Sequence, residues 1–177
     1  MKTNSKKLCS LLLACAMMVT TVVSASAAKV SGMADNATEI VVTADSPQTF
    51  YVDGVQITAS VLPADGVRPR ISESATASRY KAFAREYTCV PGDGNYGCVS
   101  VENDTRDNEK LDVNLQYRPG NSSPITIVSE ITPREKLYIE AKTVDGSGLT
   151  GSFSAFAVPV NLKVTLPLYY SCYQQWR

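Results

Sequence analysis

Beyond residue 37 the chain repeatedly alternates apolar and polar side chains, most cleanly along Leu111-Asp112-Val113-Asn114-Leu115-Gln116-Tyr117-Arg118. A period of two sends successive side chains to opposite faces, so this run predicts a strand burying Leu111, Val113, Leu115 and Tyr117. Ile125 to Ser129 reads as its return partner. Phe50 to Val52 and Val55 to Thr58 straddle Asp53-Gly54, the dipeptide favoured where both central residues of a tight hairpin need positive φ. Leu137 to Lys142 alternates again and turns at Asp145-Gly146-Ser147-Gly148 into Ser152 to Val158. Leu162 to Leu166 reads as a further strand closed by Pro167.

Residues 72–87 carry two patterns at once. Tyr80, Phe83, Ala84 and Tyr87 are spaced like a helix face, yet the segment runs into a turn-rich stretch, Val90 to Gly97, that favours a strand on each side. The preferred reading is a strand over 79–90 paired with 97–103. Asp65-Gly66, Asp93-Gly94 and Pro119-Gly120 add further reversals. Some eight or nine short strands, with turn signals about every ten residues, predict an all-β antiparallel β-sandwich. A closed soluble β-barrel is the alternative. A membrane barrel needs alternating strands of ~9–11 residues, longer than most runs here, and Pro159 and Pro167 interrupt the last third. Phe50 to Ile57 resembles the opening hairpin of stalk-type domains in exported proteins of Gram-positive bacteria; the likeness covers about ten residues, and no site is carried over with it.

The first 28 residues break the alternation. Lys2, Lys6 and Lys7 precede an apolar stretch from Leu8 to Val23, and Ser24-Ala25-Ser26-Ala27-Ala28 supplies small residues for cleavage. This is the anatomy of a secretory signal peptide, too short to span a bilayer as a helix. A flexible leader over 29–37 and a single β-sandwich domain over 38–177 complete the expected organisation. Leu12-Leu13-Ala14-Cys15 loosely resembles a bacterial lipobox, so lipid anchoring at Cys15 is a lesser alternative to a secreted or surface-associated chain.

Loss of residues 1–28 would leave 14 basic against 17 acidic residues, a net charge of −3. That balance offers no footprint for nucleic acid or an anionic membrane. The chain has no histidine, which removes Ser-His-Asp and Cys-His catalysis and imidazole metal ligation. Of the cysteines beyond the leader, Cys89 and Cys98 flank the Val90–Gly97 turn, so a disulfide across that hairpin is the natural pairing. Cys172 is then left for an intermolecular link, or competes for one of the other two.

Four clusters offer chemistry. Tyr169, Tyr170, Tyr173 and Trp176 crowd the C-terminal stretch with Gln174, Gln175 and Arg177, the residue types of a sugar-binding face. The competing reading is a tail that docks over the open end of the sandwich. Arg68, Arg70, Arg79, Lys81 and Arg85 exceed Glu73 and Glu86 and suit an anionic glycan, or else complement the acidic run 102–112. That acidic run lacks the residue order of a calcium loop and reads as a solvated connection. Glu130, Glu135 and Glu140 have no spacing that locates a catalytic pair. Asn36, Asn103 and Asn121 head glycosylation sequons, relevant in a eukaryotic source alone.

The expected function is therefore that of a secreted, non-enzymatic β-sandwich at or near the cell surface, binding carbohydrate or cell-wall polymer without cofactor or metal. The expected ligand-binding residues are Tyr170, Tyr173 and Trp176, with Arg79 and Arg85 second. The runner-up is a structural protein assembling through Cys172 or exposed strand edges.

Overall fold

A computed structural model describes residues 38–44, 46–64, 72–120 and 122–177. The expected signal peptide, Cys15, the leader, the Asp65-Gly66 turn, Arg68, Arg70, Asn36 and Asn121 lie outside the described residues. Within them the chain forms two packed sheets and no closed barrel, so the all-β sandwich holds. The strands are β1 (Thr38–Val41), β2 (Gln48–Val52), β3 (Val55–Pro63), β4 (Ser72–Ser78), β5 (Phe83–Cys89), β6 (Tyr96–Asn103), β7 (Leu111–Arg118), β8 (Ile125–Ile131), β9 (Glu135–Thr143), β10 (Gly151–Pro159) and β11 (Thr165–Gln175). One sheet has the order β1-β8-β7-β10-β5 and the other β2-β3-β9-β6-β11-β4. All neighbours run antiparallel except β1, which lies parallel to β8.

The core forms where inward faces meet. Leu111, Val113, Leu115 and Tyr117 of β7 are fully buried, as their alternation predicts, and β8 pairs with them from Ile131 back to Ile125. The Tyr117 ring packs 4.9 Å from Phe153, and its hydroxyl donates to the Thr150 carbonyl at 2.7 Å. That bond satisfies the one polar atom its burial would strand. Opposite them lie Ile57, Ala59 and Val61 of β3, Val99 and Val101 of β6, Leu137 and Ile139 of β9, and Leu166, Leu168, Tyr170 and Cys172 of β11. The Asp53-Gly54 hairpin closes with φ of 49° and 75°, as the dipeptide requires.

Three local expectations are corrected. The expected strand over 79–90 begins only at Phe83, after a corner at 79–82 that follows β4, and β5 pairs with β10 in one sheet while β6 pairs with β9 and β11 in the other. The Val90–Gly97 stretch, with a short 3-10 turn at Pro91–Asp93, crosses between sheets and closes no hairpin. The expected Cys89–Cys98 disulfide goes with it. Cys89 points into the core whereas Cys98 faces out from the opposite sheet, and all three described cysteines are free and buried. The Asp145-Gly146 reversal likewise carries β9 into β10 of the other sheet.

The third correction concerns Pro167, which does not end its strand. Its carbonyl accepts from the Asp104 N–H at 3.2 Å, so its nitrogen also faces the β6 side, where β6 has already ended. No ladder bond to β4 is lost, and β11 continues to Gln175. Among the described residues no helix is long and apolar enough to cross a membrane.

Candidate functional site

The continuation of β11 decides where its aromatics go. Alternation sends Leu168, Tyr170 and Cys172 inward and Tyr169, Ser171 and Tyr173 outward. Tyr170 therefore belongs to the core, packed 5.4 Å from the Phe83 ring, and its assignment as a ligand contact is corrected. Burial pushes its hydroxyl above the ordinary tyrosine range. Trp176 lies beyond the strand, 58% exposed, with its indole N–H donating to the Gly92 carbonyl at 3.3 Å. The tail is held by its neighbours more than by the indole. Asn95 exchanges two hydrogen bonds with the Arg177 main chain, at 2.8 and 3.0 Å, and the Gln174 amide donates to the carbonyls of Val90, Gly94 and Leu149.

Arg79 and Arg85 stand elsewhere. The Arg85 guanidinium binds the Glu73 carboxylate and lies 5.3 Å from the Phe83 ring centroid, bridging the edge strands β4 and β5 of the two sheets. That pairing raises the Arg85 pKa and lowers that of Glu73. Arg79 lies over the exposed Tyr80 ring at the β4–β5 corner. The acidic run is organised from within by Asn103, whose amide donates to the Glu109 and Ile131 carbonyls and accepts from the Thr105 N–H. Its Asp104 pairs with Arg134 at 3.4 Å. No group of three potential metal ligands clusters among the described residues.

The registers assemble a different site on the outer face of the six-stranded sheet. One row reads Thr58, Glu140, Cys98 and Tyr173 across β3, β9, β6 and β11. The next reads Ser60, Tyr138, Ser100, Ser171 and, on β4, Ser72; the third reads Lys136, Glu102 and Tyr169. With Tyr51 and Tyr96, this face carries five of the nine tyrosines. A shallow cleft lies over its middle, floored by Ser100 and Ser171 and walled by Tyr138, Tyr169 and Tyr173, with Glu102 and Lys136 at one end.

The side chains around the cleft hold one another in place. Ser100 and Ser171 hydroxyls are 2.8 Å apart across the strand pair. The Tyr96 and Tyr138 hydroxyls lie within hydrogen-bond reach of each other and of Glu140 Oε2, at 2.9 and 3.2 Å from the carboxylate, and their two protons serve these three contacts. The Arg177 guanidinium carbon sits 3.7 Å from the Tyr96 ring centroid, and Tyr173 lies 6.3 Å from the same ring. Cys98 faces outward but is only 1% exposed beneath this layer. Burial pushes its thiol up to about 11, against hydrogen bonds from Tyr173 and Tyr138 that pull it down. Burial also raises Tyr173 to about 12 and lifts Tyr96 and Tyr138 above their ordinary value. At neutral pH Tyr96, Tyr138 and Tyr173 thus keep their hydroxyl protons.

Of the expected ligand residues, Tyr173 presents its side chain to this surface, and Tyr170 borders the cleft from β11 while its ring packs into the core. Tyr138, Tyr169, Ser100, Ser171, Glu102 and Lys136 escape a search for clustered residues, because 31 or more positions separate the contributions of β6, β9 and β11. The legible signal was alternation, since Lys136, Tyr138 and Glu140 occupy the polar side of their strand. Glu130, Glu135 and Glu140 do not converge: Glu130 pairs with Lys110 on the other sheet, Glu135 caps the Thr132 N–H, and Glu140 holds the two tyrosines. No family model matches the chain, and no curated protein aligns with it.

Proposed function

We propose that this chain is a secreted, non-enzymatic β-sandwich that binds carbohydrate or cell-wall polymer at or near the cell surface, through the outer face of its six-stranded sheet. The observation that carries the reading is the group Tyr138, Tyr169 and Tyr173 standing over the Ser100–Ser171 floor. Pyranose rings present apolar C–H faces that stack on aromatic rings and a fringe of hydroxyls that need hydrogen-bond partners. Tyrosine and serine on a rigid sheet supply both, and the hydrogen-bonded network behind them lowers the ordering cost on binding. Export, from the leader read in the sequence, would bring the protein to such polymers. Assembly through Cys172 draws no support from its thiol, which faces the core and is pushed up to about 12 by burial.

The test is retention of residues 29–177 on insoluble polysaccharides and purified cell walls, at low and high salt. Retention should survive high salt, because stacking is not screened as ion pairs are. Tyr138→Ala and Tyr173→Ala should each lose most of it, whereas Trp176→Ala should keep it. Equal retention of folded Tyr138→Ala and Tyr173→Ala would remove the sheet face as the site, and loss in Trp176→Ala alone would return it to the tail.

A further inference from the structure

The spacing and charge of the same face point to a narrower ligand class, an inference that rests on the binding reading above. Tyr169 and Tyr173 are four residues apart on β11, ~13 Å along the strand, and Tyr138 lies two strands away, ~10 Å across the sheet. No single sugar ring reaches all three. Among the described residues, the charged side chains lining the cleft are Glu102 and Lys136, of opposite sign and facing each other in register. Beside it, Glu140 is engaged by the hydroxyls of Tyr96 and Tyr138. The charged group nearest the tail, the Arg177 guanidinium, is stacked on Tyr96. We infer that the occupant is a segment of an uncharged glycan, at least two pyranose rings long, lying obliquely across β9, β6 and β11, and that anionic polymers are not its ligand.

Glu140 enters as a positioning residue. Tyr138 owes its orientation to the bonds of its hydroxyl with Tyr96 and Glu140, which fix the ring as one wall of the cleft. Tyr173 lies 6.3 Å from the Tyr96 ring, and alternation along β11 places Tyr169 on the same face. The three rings thus form a preformed platform with a defined long axis.

The experiment is titration calorimetry with β-1,4-linked gluco-oligosaccharides and their N-acetylamino counterparts, from one ring upward, and with oligogalacturonates as the anionic control. Affinity should rise at least tenfold from the single ring to a chain spanning all three tyrosines, then level off, with no salt dependence. Each of Tyr138→Ala and Tyr169→Ala should cost roughly five- to tenfold on the longest chain and little on the single ring, in keeping with the strength of aromatic contacts. Tyr169 stands at the margin of the cleft, so its variant reports even if Tyr138→Ala is destabilised. Glu140→Gln should weaken the long chain while leaving the single ring unchanged.

A single ring bound as tightly as the long chains would overturn the multi-ring inference while the site itself stood. Tighter, salt-sensitive binding of oligogalacturonate would overturn the uncharged class. Retention on insoluble polymer through the tyrosines, with no gain from chain length among soluble probes, would again reject this inference alone. Absence of both retention and binding would reject the reading beneath it.

Discussion

Asn103 carries more of the fold than its place in an acidic stretch suggests. Its side chain is completely buried, and its amide joins Glu109, Ile131 and Thr105, while its main-chain carbonyl accepts from Arg134. Asn103→Ala would leave two carbonyls and one N–H without partners, and each buried unsatisfied group costs ~1–3 kcal/mol. The expected outcome is a loss of about 3 kcal/mol, read from the urea midpoint at unchanged slope; a loss below about 1 kcal/mol would mean water replaces the amide. The same burial leaves the Asn103 sequon without a free amide.

The core thiols act at this scale too. Burial pushes Cys89 and Cys172 from an ordinary 9.0 up to about 12. In the unfolded chain both would lose their protons from pH 9 upward, while the folded chain keeps them until about pH 12. The unfolded state therefore binds fewer protons in that window, and stability falls as pH rises through it. Urea midpoints should hold steady below about pH 9 and decline between about 9 and 12. A flat profile across the window would show that the folded chain exposes its thiols.

Among the elements, β11 is the one whose path settles the site, and Gly94 is where its end meets the rest of the sandwich. A Cβ on Gly94 would lie 2.0 Å from the Gln175 carbonyl carbon, so only glycine lets the β11 terminus pass. Gly94→Ala should cost roughly 1–3 kcal/mol, by analogy with overpacked cores, and release the Gln174 and Asn95 contacts. Limited proteolysis should then cut near residue 175 in the variant and not in the parent chain; equal resistance would show that the strand end shifts without cost.

The parts of this architecture that were legible in the sequence are those written in consecutive residues. Leu111 to Tyr117 announce their strand and its buried face, and Asp53-Gly54 announces its hairpin. What alternation does not encode is which strand neighbours which. Val90 to Gly97 has the composition of a hairpin turn whether the chain returns along the same sheet or crosses to the other, so the Cys89–Cys98 pairing followed from a neighbour that does not exist. Pro167 misled in a similar way, because the harmlessness of its missing N–H depends on where β6 ends. The cleft was hidden for the same reason: its serines and tyrosines meet through the order β9-β6-β11, which is a property of the sheet and of no single strand.

For the whole molecule, the face with the cleft and the edges of the sheets are separate surfaces. The edges belong to β1 and β5 in one sheet and β2 and β4 in the other, and on one side Arg85 and Glu73 clasp β5 to β4. An exposed ion pair of this kind adds little stability, and its value is in holding two edge strands together. The tyrosine platform, by contrast, sits over the central strands, where the backbone is paired on both sides and the side chains have the least freedom to rearrange.

The place of β11 also sets a clock. It is the last strand in sequence, yet it lies inside its sheet, between β6 and β4, with the register running to Gln175 against Tyr96. Until that strand is delivered, β6 has one open edge and β4 has no neighbour in its sheet at all. Native pairing of this sheet must wait for β11, and such distant pairings form slowly, in about milliseconds to seconds.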